Sequence, residues 1–193
     1  MRIGIFGGSF DPIHKGHLAL AKSSIKEIKL DKLFFVPAKI SPFKKNKSIS
    51  SPLNRLKMAH LAVKKIPKCK VSSFELKTPG LSYTFLTLKV FKKIFPKEDL
   101  FFLMGSDALA GFKKWHKWRD ILKICSLVVG QRSGEKTVIE LPIGFEGRVL
   151  YLKAKMPKIS STEIRSAFKE RQNLFEVCPK EVAQYICKHH LYD

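Results

Sequence analysis

The stretch that decides the fold is Ile3-Gly4-Ile5-Phe6-Gly7-Gly8-Ser9-Phe10-Asp11-Pro12-Ile13-His14-Lys15-Gly16-His17. Its first four residues form a short run that suits a buried strand. Gly7 and Gly8 fall where that strand ends, and they permit tight backbone geometry and close approach of a ligand. Gly16 does the same where a helix begins, and backbone N–H groups there can hold a phosphate. The helix carries Leu18, Ala21, Ile25 and Ile28 on one face. The string is not a Walker A loop, because no Gly-Lys-Ser/Thr follows, and it is not the dinucleotide fingerprint G-x-G-x-x-G. In place of a P-loop lysine stand His14 and His17, close enough to flank one phosphate group. Imidazoles donate hydrogen bonds and can carry positive charge beside a polyphosphate, which stabilises charge that develops in phosphoryl transfer. The competing assignments are a helix-start histidine without a role and half of a zinc site. Zinc needs further ligands, and the neighbouring sequence offers only Asp11.

Outward from this motif, short apolar runs alternate with helical patterns. Leu33-Phe34-Phe35-Val36 reads as a second buried strand ended by Pro37, and residues 38–52, rich in Pro, Lys and Ser, as a loop. Leu56, Ala59, Val63 and Ile66 mark the next helix face. Val71, Ser73 and Glu75 alternate poorly with Ser72, Phe74 and Leu76, yet the run is compatible with a strand. Leu81, Phe85, Leu88 and Phe95 suggest a helix, and Leu100 to Met104 a third strong strand. A short helix at Ile121 to Cys125 precedes a strand at Leu127-Val128-Val129. Residues 133–148 are weakly patterned, Val149 to Leu152 is a further strand, and two helices finish the chain. This alternation predicts an α/β fold with a parallel sheet covered by helices on both faces. Ligands of such sheets bind at the carboxyl ends of the strands, where strand order reverses. With no repeat and no linker, residues 1–193 read as a single domain.

Composition narrows the function classes. The 193 residues are 45% hydrophobic, enough for a sizeable core. No stretch approaches the roughly 18 uncharged apolar residues of a membrane span. The chain opens directly on a strand-like run, so we expect no signal peptide. Cys69, Cys125, Cys178 and Cys187 form no C-x-x-C pair, and we read them as reduced thiols of a cytoplasmic protein, Cys125 in the core. Cys187 with His189 and His190 fits a polar helix end better than a metal site. The net charge of +21 invites a nucleic-acid reading. Its lysines are scattered, however, apart from Lys44, Lys45 and Lys47, and a Lys-rich composition accounts for them as well. Specific nucleic-acid binding is therefore disfavoured, while a basic field that attracts anionic nucleotides suits either reading.

A second motif lies near the other end of the chain. Ile159-Ser160-Ser161-Thr162-Glu163-Ile164-Arg165 follows a strand and a break at Pro157. Ser160 and Glu163 have capping-box spacing, so a helix should start here. Hydroxyls and N–H groups then meet at a positive helix end, and Arg165 lies one turn in. An ordinary well-capped helix explains the same residues.

The first string resembles the H-x-G-H signature of the nucleotidyltransferase superfamily, and its G-G-S-F-D-P-x-H-x-G-H form is similar to that of bacterial nicotinate-nucleotide adenylyltransferases. I-S-S-T-x-I-R resembles that family's second signature. The middle of the chain adds Leu81-Ser82-Tyr83-Thr84, similar to its S-Y-T motif, and Met104-Gly105-Ser106-Asp107, similar to its G-x-D motif. Phe112-Lys113-Lys114-Trp115 resembles its F-x-x-W segment. The resemblance spans the chain. It implies a Rossmann-like fold and transfer of AMP from ATP to nicotinate mononucleotide, giving deamido-NAD and pyrophosphate in NAD biosynthesis. It implies that His14, His17 and Arg165 act on the ATP phosphates, with Ile159, Ser160, Ser161 and Thr162 at the helix end. Gly7, Gly8, Ser9, Phe10 and Gly16 would line the turn, and Gly105 and Asp107 would meet the ribose or adenine region. Trp115 would stack on the pyridine ring, since a flat indole suits a flat heterocycle, and Trp118 would be the core residue of the two. Thr84 would hydrogen-bond the nicotinate, and Lys44 and Arg132 would supply charge to the mononucleotide. Mg²⁺ would come with ATP, held by phosphate and water, with no metal site of the protein's own. Phe43 stands where the family commonly has His, and His116 where it has an aromatic residue. A homo-oligomer is compatible with the sequence. The rival readings are a phosphopantetheine-type adenylyltransferase and a non-catalytic nucleic-acid-binding module.

Overall fold

The apolar runs become the centre of a parallel sheet because each is hydrophobic at consecutive positions and so buries both of its faces. A computed structural model of the chain describes residues 1–42, 50–132, 137–169 and 174–193. In chain order its elements are β1 (Arg2–Gly8), α1 (Lys15–Glu27), β2 (Lys32–Pro37), α2 (Pro52–Val63), β3 (Cys69–Val71), α3 (Phe74–Lys77) and α4 (Thr84–Ile94). Then come β4 (Asp99–Gly105), α5 (Ser106–Ala110), α6 (Trp118–Ile124), β5 (Ser126–Gly130), β6 (Val149–Tyr151), α7 (Ser161–Lys169) and α8 (Lys180–Lys188). The six strands form one sheet in the order β3-β2-β1-β4-β5-β6, each neighbouring pair parallel. The order runs outward from β1 and then resumes on its other side at β4, so the reversal lies between these two strands. A crevice at their carboxyl ends is where such sheets bind ligands.

Alternate residues of the strands feed two separate cores. Phe101, Leu103 and Val128 join Leu33 and Phe35 on one face, beneath Leu20 and Ala21 of α1, Met58 and Ala59 of α2, and Val182 and Ile186 of α8. Leu100, Phe102, Met104, Leu127 and Val129 join Ile3 and Ile5 on the other, beneath Leu88 and Phe91 of α4 and Ile121 and Leu122 of α6. The predicted α/β class, with helices on both faces, is the observed one.

Several local expectations are corrected. The strand expected over residues 71–76 is three residues long, Cys69–Val71, and the chain turns at once into α3. Phe74 and Glu75 thus belong to a helix, in keeping with the poor alternation of this stretch. The buried face of α2 is Arg55, Met58, Ala59, Ala62 and Val63. The expected face through Leu56 is rotated, because a buried arginine counts as polar in any periodicity. Gly7 and Gly8 are the last two residues of β1, as expected, but the left-handed residue of the turn is Phe10 at φ 50°. Gly8 leaves space for the turn: a Cβ there would sit 3.2 Å from the Phe10 ring, whereas one on Gly7 would make an ordinary 3.4 Å contact with the Phe102 ring.

Candidate active site

The first motif leaves β1 at the strand-order reversal and reaches α1 through a turn pinned from several sides. Phe10 is 2% exposed and its ring packs against Phe6 and Phe35, so it is the Phe10 backbone that faces the turn. His14 is the N-cap of α1. Its Nδ1 accepts from the backbone N–H of His17 at 3.4 Å, while the Nδ1 of His17 accepts from the N–H of His14 at 3.2 Å. Two imidazoles thus form the reciprocal capping box more often built from a hydroxyl and a carboxylate. The rings stack with centroids 3.7 Å apart, and the His17 ring also meets the ring of Phe10. With both Nδ1 atoms accepting, each neutral ring carries its proton on Nε2. The site therefore holds two Nε2–H donors side by side, at a helix start with no acidic residue in its first turn. Gly16 lets the His14 ring lie close, since a Cβ there would sit 3.0 Å from that ring and push it aside.

The second motif docks onto the first. Ser160 Oγ accepts from the Glu163 N–H at 3.1 Å, which is one half of the expected capping box. Ser161 Oγ donates to the Pro12 carbonyl at 3.0 Å, and Arg165 Nη1 donates to the Asp11 carbonyl at 2.8 Å. Arg165 also reaches Thr162 Oγ1 at 3.4 Å, and its Nε is buried without an acceptor among the described residues. Ile159 Cβ lies 3.7 Å from where a Gly16 side chain would begin. The ends of the chain thus meet at one place, as the two signatures imply.

On the other side of the reversal, Gly105 caps α5 and Asp107 sits in its first turn. The Asp107 carboxylate accepts from the Ala108 N–H at 2.9 Å and pairs with Arg132 Nη2 at 3.4 Å. Asp107 and Arg132, expected to serve different substrates, are therefore direct neighbours. Trp115 lies edge-on to Phe102, the ring that backs Gly7. Trp115 and Trp118 are both half-buried against Phe112, so burial does not rank one above the other as the core residue. Thr84 begins α4. The preceding Tyr83 ring packs at a tilt against His116 with centroids 4.6 Å apart, which brings the Ser82–Thr84 motif beside the Trp115 segment. Lys44 and Phe43 lie outside the described residues.

Sequence reasoning missed what holds these parts together. Asp11 is 3% exposed and accepts from the hydroxyl of Tyr192 at 2.7 Å and from that of Ser50. Arg55, 1% exposed, lies under the same turn. Nothing in the sequence near Tyr192 or Arg55 signals either role.

The description of the family model that matches, over residues 5–167, is cytidylyltransferase-like. A probable nicotinate-nucleotide adenylyltransferase of Methylacidiphilum infernorum is 38% identical over 195 residues, which cover 99% of this chain and 92% of the relative. One from Neisseria meningitidis is 37% identical over 200 residues, covering 100% and 98%. Among solved structures, the Plasmodium falciparum nicotinic acid mononucleotide adenylyltransferase complexed with APC matches with a TM-score of 0.75 at 20% identity, over 100% of this chain and 97% of that one. At that identity the likeness concerns the fold.

Proposed function

Because the chain belongs to the cytidylyltransferase-like family and, within it, to the nicotinate-nucleotide adenylyltransferases, we propose that it transfers AMP from ATP to nicotinate mononucleotide. The products are deamido-NAD and pyrophosphate. A phosphate oxygen of the mononucleotide attacks the α-phosphorus of ATP, a new P–O bond forms, and the bond to the β-phosphate breaks with its electron pair leaving on pyrophosphate. The attacking oxygen is already ionised near neutral pH, so no strong base and no covalent intermediate are required. The protein's tasks are alignment and charge stabilisation.

The observation that carries this reading is the reciprocal capping of His14 and His17, which holds two ring donors together at a helix start. In our reading these donors and Arg165 meet the phosphates, and Ser161 and Thr162 shape the opposite wall. Gly7, Gly8 and the Ser9 backbone line the turn, and Asp107 meets the ribose or adenine region. Thr84, Trp115, Arg132 and Lys44 serve the acceptor. Mg²⁺ enters with ATP, neutralising phosphate charge while held by phosphate oxygens and water. The one acid of the first motif, Asp11, is occupied by Tyr192 and Ser50, and no group of three or more possible metal-ligating side chains occurs among the described residues. A cytoplasmic setting goes with this reading. Its support is four unpaired thiols; separately, no helix among the described residues is long and apolar enough to cross a membrane.

The test is pyrophosphate release from MgATP with nicotinate mononucleotide, nicotinamide mononucleotide or phosphopantetheine in separate reactions. Release should be highest with nicotinate mononucleotide, and His17→Ala should lower turnover by roughly a hundredfold or more while the melting curve stays cooperative. Silence with all three acceptors would sink the assigned activity, and unchanged turnover in His17→Ala would remove His17 from it.

A further inference from the structure

Arg55 is a cation almost wholly removed from water, and its hydrogen bonds go to backbone carbonyls of three separate segments. Nη1 donates to Ser9 O at 2.8 Å, in the turn after β1, and to Ala38 O at 2.5 Å, just past β2. Nη2 donates to Lys39 O at 3.1 Å, and Nε to Ser50 O at 3.3 Å, ahead of α2. Burial lowers the guanidinium pKa, and the charges of Asp11, Tyr192 and Glu75 oppose that shift. An arginine stays charged throughout. Simple packing needs no charge here. What guanidinium supplies is a planar fork of donors that can meet carbonyls from several directions at once, which an ammonium on a flexible stem does not reproduce.

The segments it gathers are the two sides of the site. Ser9 belongs to the nucleotide turn. The strap at residues 38–40 leads toward the acceptor side: Lys39 N–H donates to Ser82 Oγ at 2.9 Å, and Ser82 N–H donates to Ile40 O at 2.9 Å. Ser82 opens the motif that contains Thr84. The phosphate end is fastened by other bonds, from Lys15 N–H to Val177 O, Ser161 to Pro12 and Arg165 to Asp11. We infer that Arg55 is a positioning residue, which sets the acceptor-side strap against the nucleotide turn and so aligns the two substrates. This inference rests on the adenylyl-transfer reading.

Removing the fork should therefore disturb the mononucleotide and the transfer step, and spare ATP binding. Arg55→Lys is compared with the unsubstituted protein for thermal melting, for hydrogen exchange of the peptides around residues 8–11 and 36–42, and for kinetics by pyrophosphate release from MgATP and nicotinate mononucleotide. The expected variant melts cooperatively and keeps its KM for ATP within about twofold. Its KM for the mononucleotide rises and its kcat falls, together costing about ten- to a hundredfold, as a small misalignment does. Exchange at the Ala38 amide, which donates to Gly8 O, quickens while that of α1 does not. Unchanged kinetics for the mononucleotide would overturn the inference, and so would an equal rise of both KM values. Should Arg55→Lys fail to fold, Arg55→Met, which keeps much of the volume without a buried charge, is judged by the same criteria. An unsubstituted protein silent with every acceptor would sink the functional reading and this inference with it. An active one beside an equally active Arg55→Lys would sink this inference alone.

Discussion

Glu75 is a carboxylic acid held where little water reaches, on the short helix between β3 and α4. It is 7% exposed, and its Oε1 accepts from Thr87 Oγ1 at 2.5 Å. Burial raises its pKa, against the hydrogen bonds from Thr87 and Ser82 and the charge of Arg55, which lower it. Ser82 in turn accepts from the Lys39 N–H, so this acid orients the hydroxyl that receives the strap. A group whose folded pKa is raised contributes its full stability below its unfolded value and loses it as the pH climbs through the folded one. Stability from Glu75 is therefore present below about pH 4.3 and declines above it. Glu75→Gln keeps an acceptor for Thr87 and cannot ionise. The difference in Tm between Glu75→Gln and the unsubstituted protein should shift in favour of glutamine as the pH is raised from about 4 to 8. Melting curves of both proteins across that range measure it, and a difference independent of pH would show that the buried group does not titrate in the window. Arg55 and Glu75 illustrate the same point: each is buried with polar partners, and each organises the chain near the strap.

At the scale of the element, β1 governs how closely the sheet and its covering pack. It is bracketed by β2 and β4 and contributes Ile3 and Ile5 to one core and Phe6 to the other. Gly4 lies between those residues, and a Cβ there would fall 2.7 Å from the terminal methyls of Leu30 and Leu33, both fully buried. Both leucines lie inside the core, so their methyls can give way only by repacking the side chains around them. Gly4→Ala should cost about 1–3 kcal/mol through overpacking, a fall in Tm of roughly 2–12 °C for a chain of this size. ATP saturation should change little, since the histidines are held by contacts within α1. A Tm within a degree of the unsubstituted protein would show that the leucines repack freely. β1, β2, β4 and β5 were all legible in the sequence, because a strand buried on both faces is hydrophobic at every position and needs no alternation to be seen. The two motifs were legible because their chemistry is local: His14 caps its own helix and Ser160 caps its own. The short β3 and α3 were not, since three paired residues and a single helical turn leave too little period to read. Nor was the role of Arg55, whose partners are backbone carbonyls of Ser9, Ala38, Lys39 and Ser50. Carbonyls leave no mark in a side-chain pattern, and the tertiary fold alone brings those three segments together.

For the whole molecule, the charge balance and the way the chain closes on itself are linked. With 37 lysines and arginines against 16 acids, like charges repel across the surface, which disfavours the compact state. Pairs such as Lys65 with Glu181 and Lys123 with Asp120 are exposed, and such pairs contribute little. Cohesion must come from burial and from bonds that join distant parts of the chain. The C-terminal segment supplies several: Val177 O accepts from Lys15 N–H, Phe175 O accepts from Lys15 Nζ, and the Tyr192 hydroxyl donates to Asp11. Tyr192 is 4% exposed, beside Phe168 and the core under α8. Tyr192→Phe keeps the ring and removes one donor from a buried carboxylate, at a cost of about 1–3 kcal/mol. The pH dependence separates this bond from mere packing. Burial and the adjacent Asp11 charge raise the Tyr192 pKa. The hydroxyl's stabilisation is accordingly complete below the ordinary tyrosine value of about 10 and falls as the pH rises beyond it. The gap in unfolding free energy between the unsubstituted protein and Tyr192→Phe should therefore be constant from about pH 7 to 9 and narrow above pH 10. Denaturant titrations of both proteins over that range decide it. A gap that persists unchanged at the highest pH would mean that the phenol's proton is not what binds the last turn of the chain to its first motif.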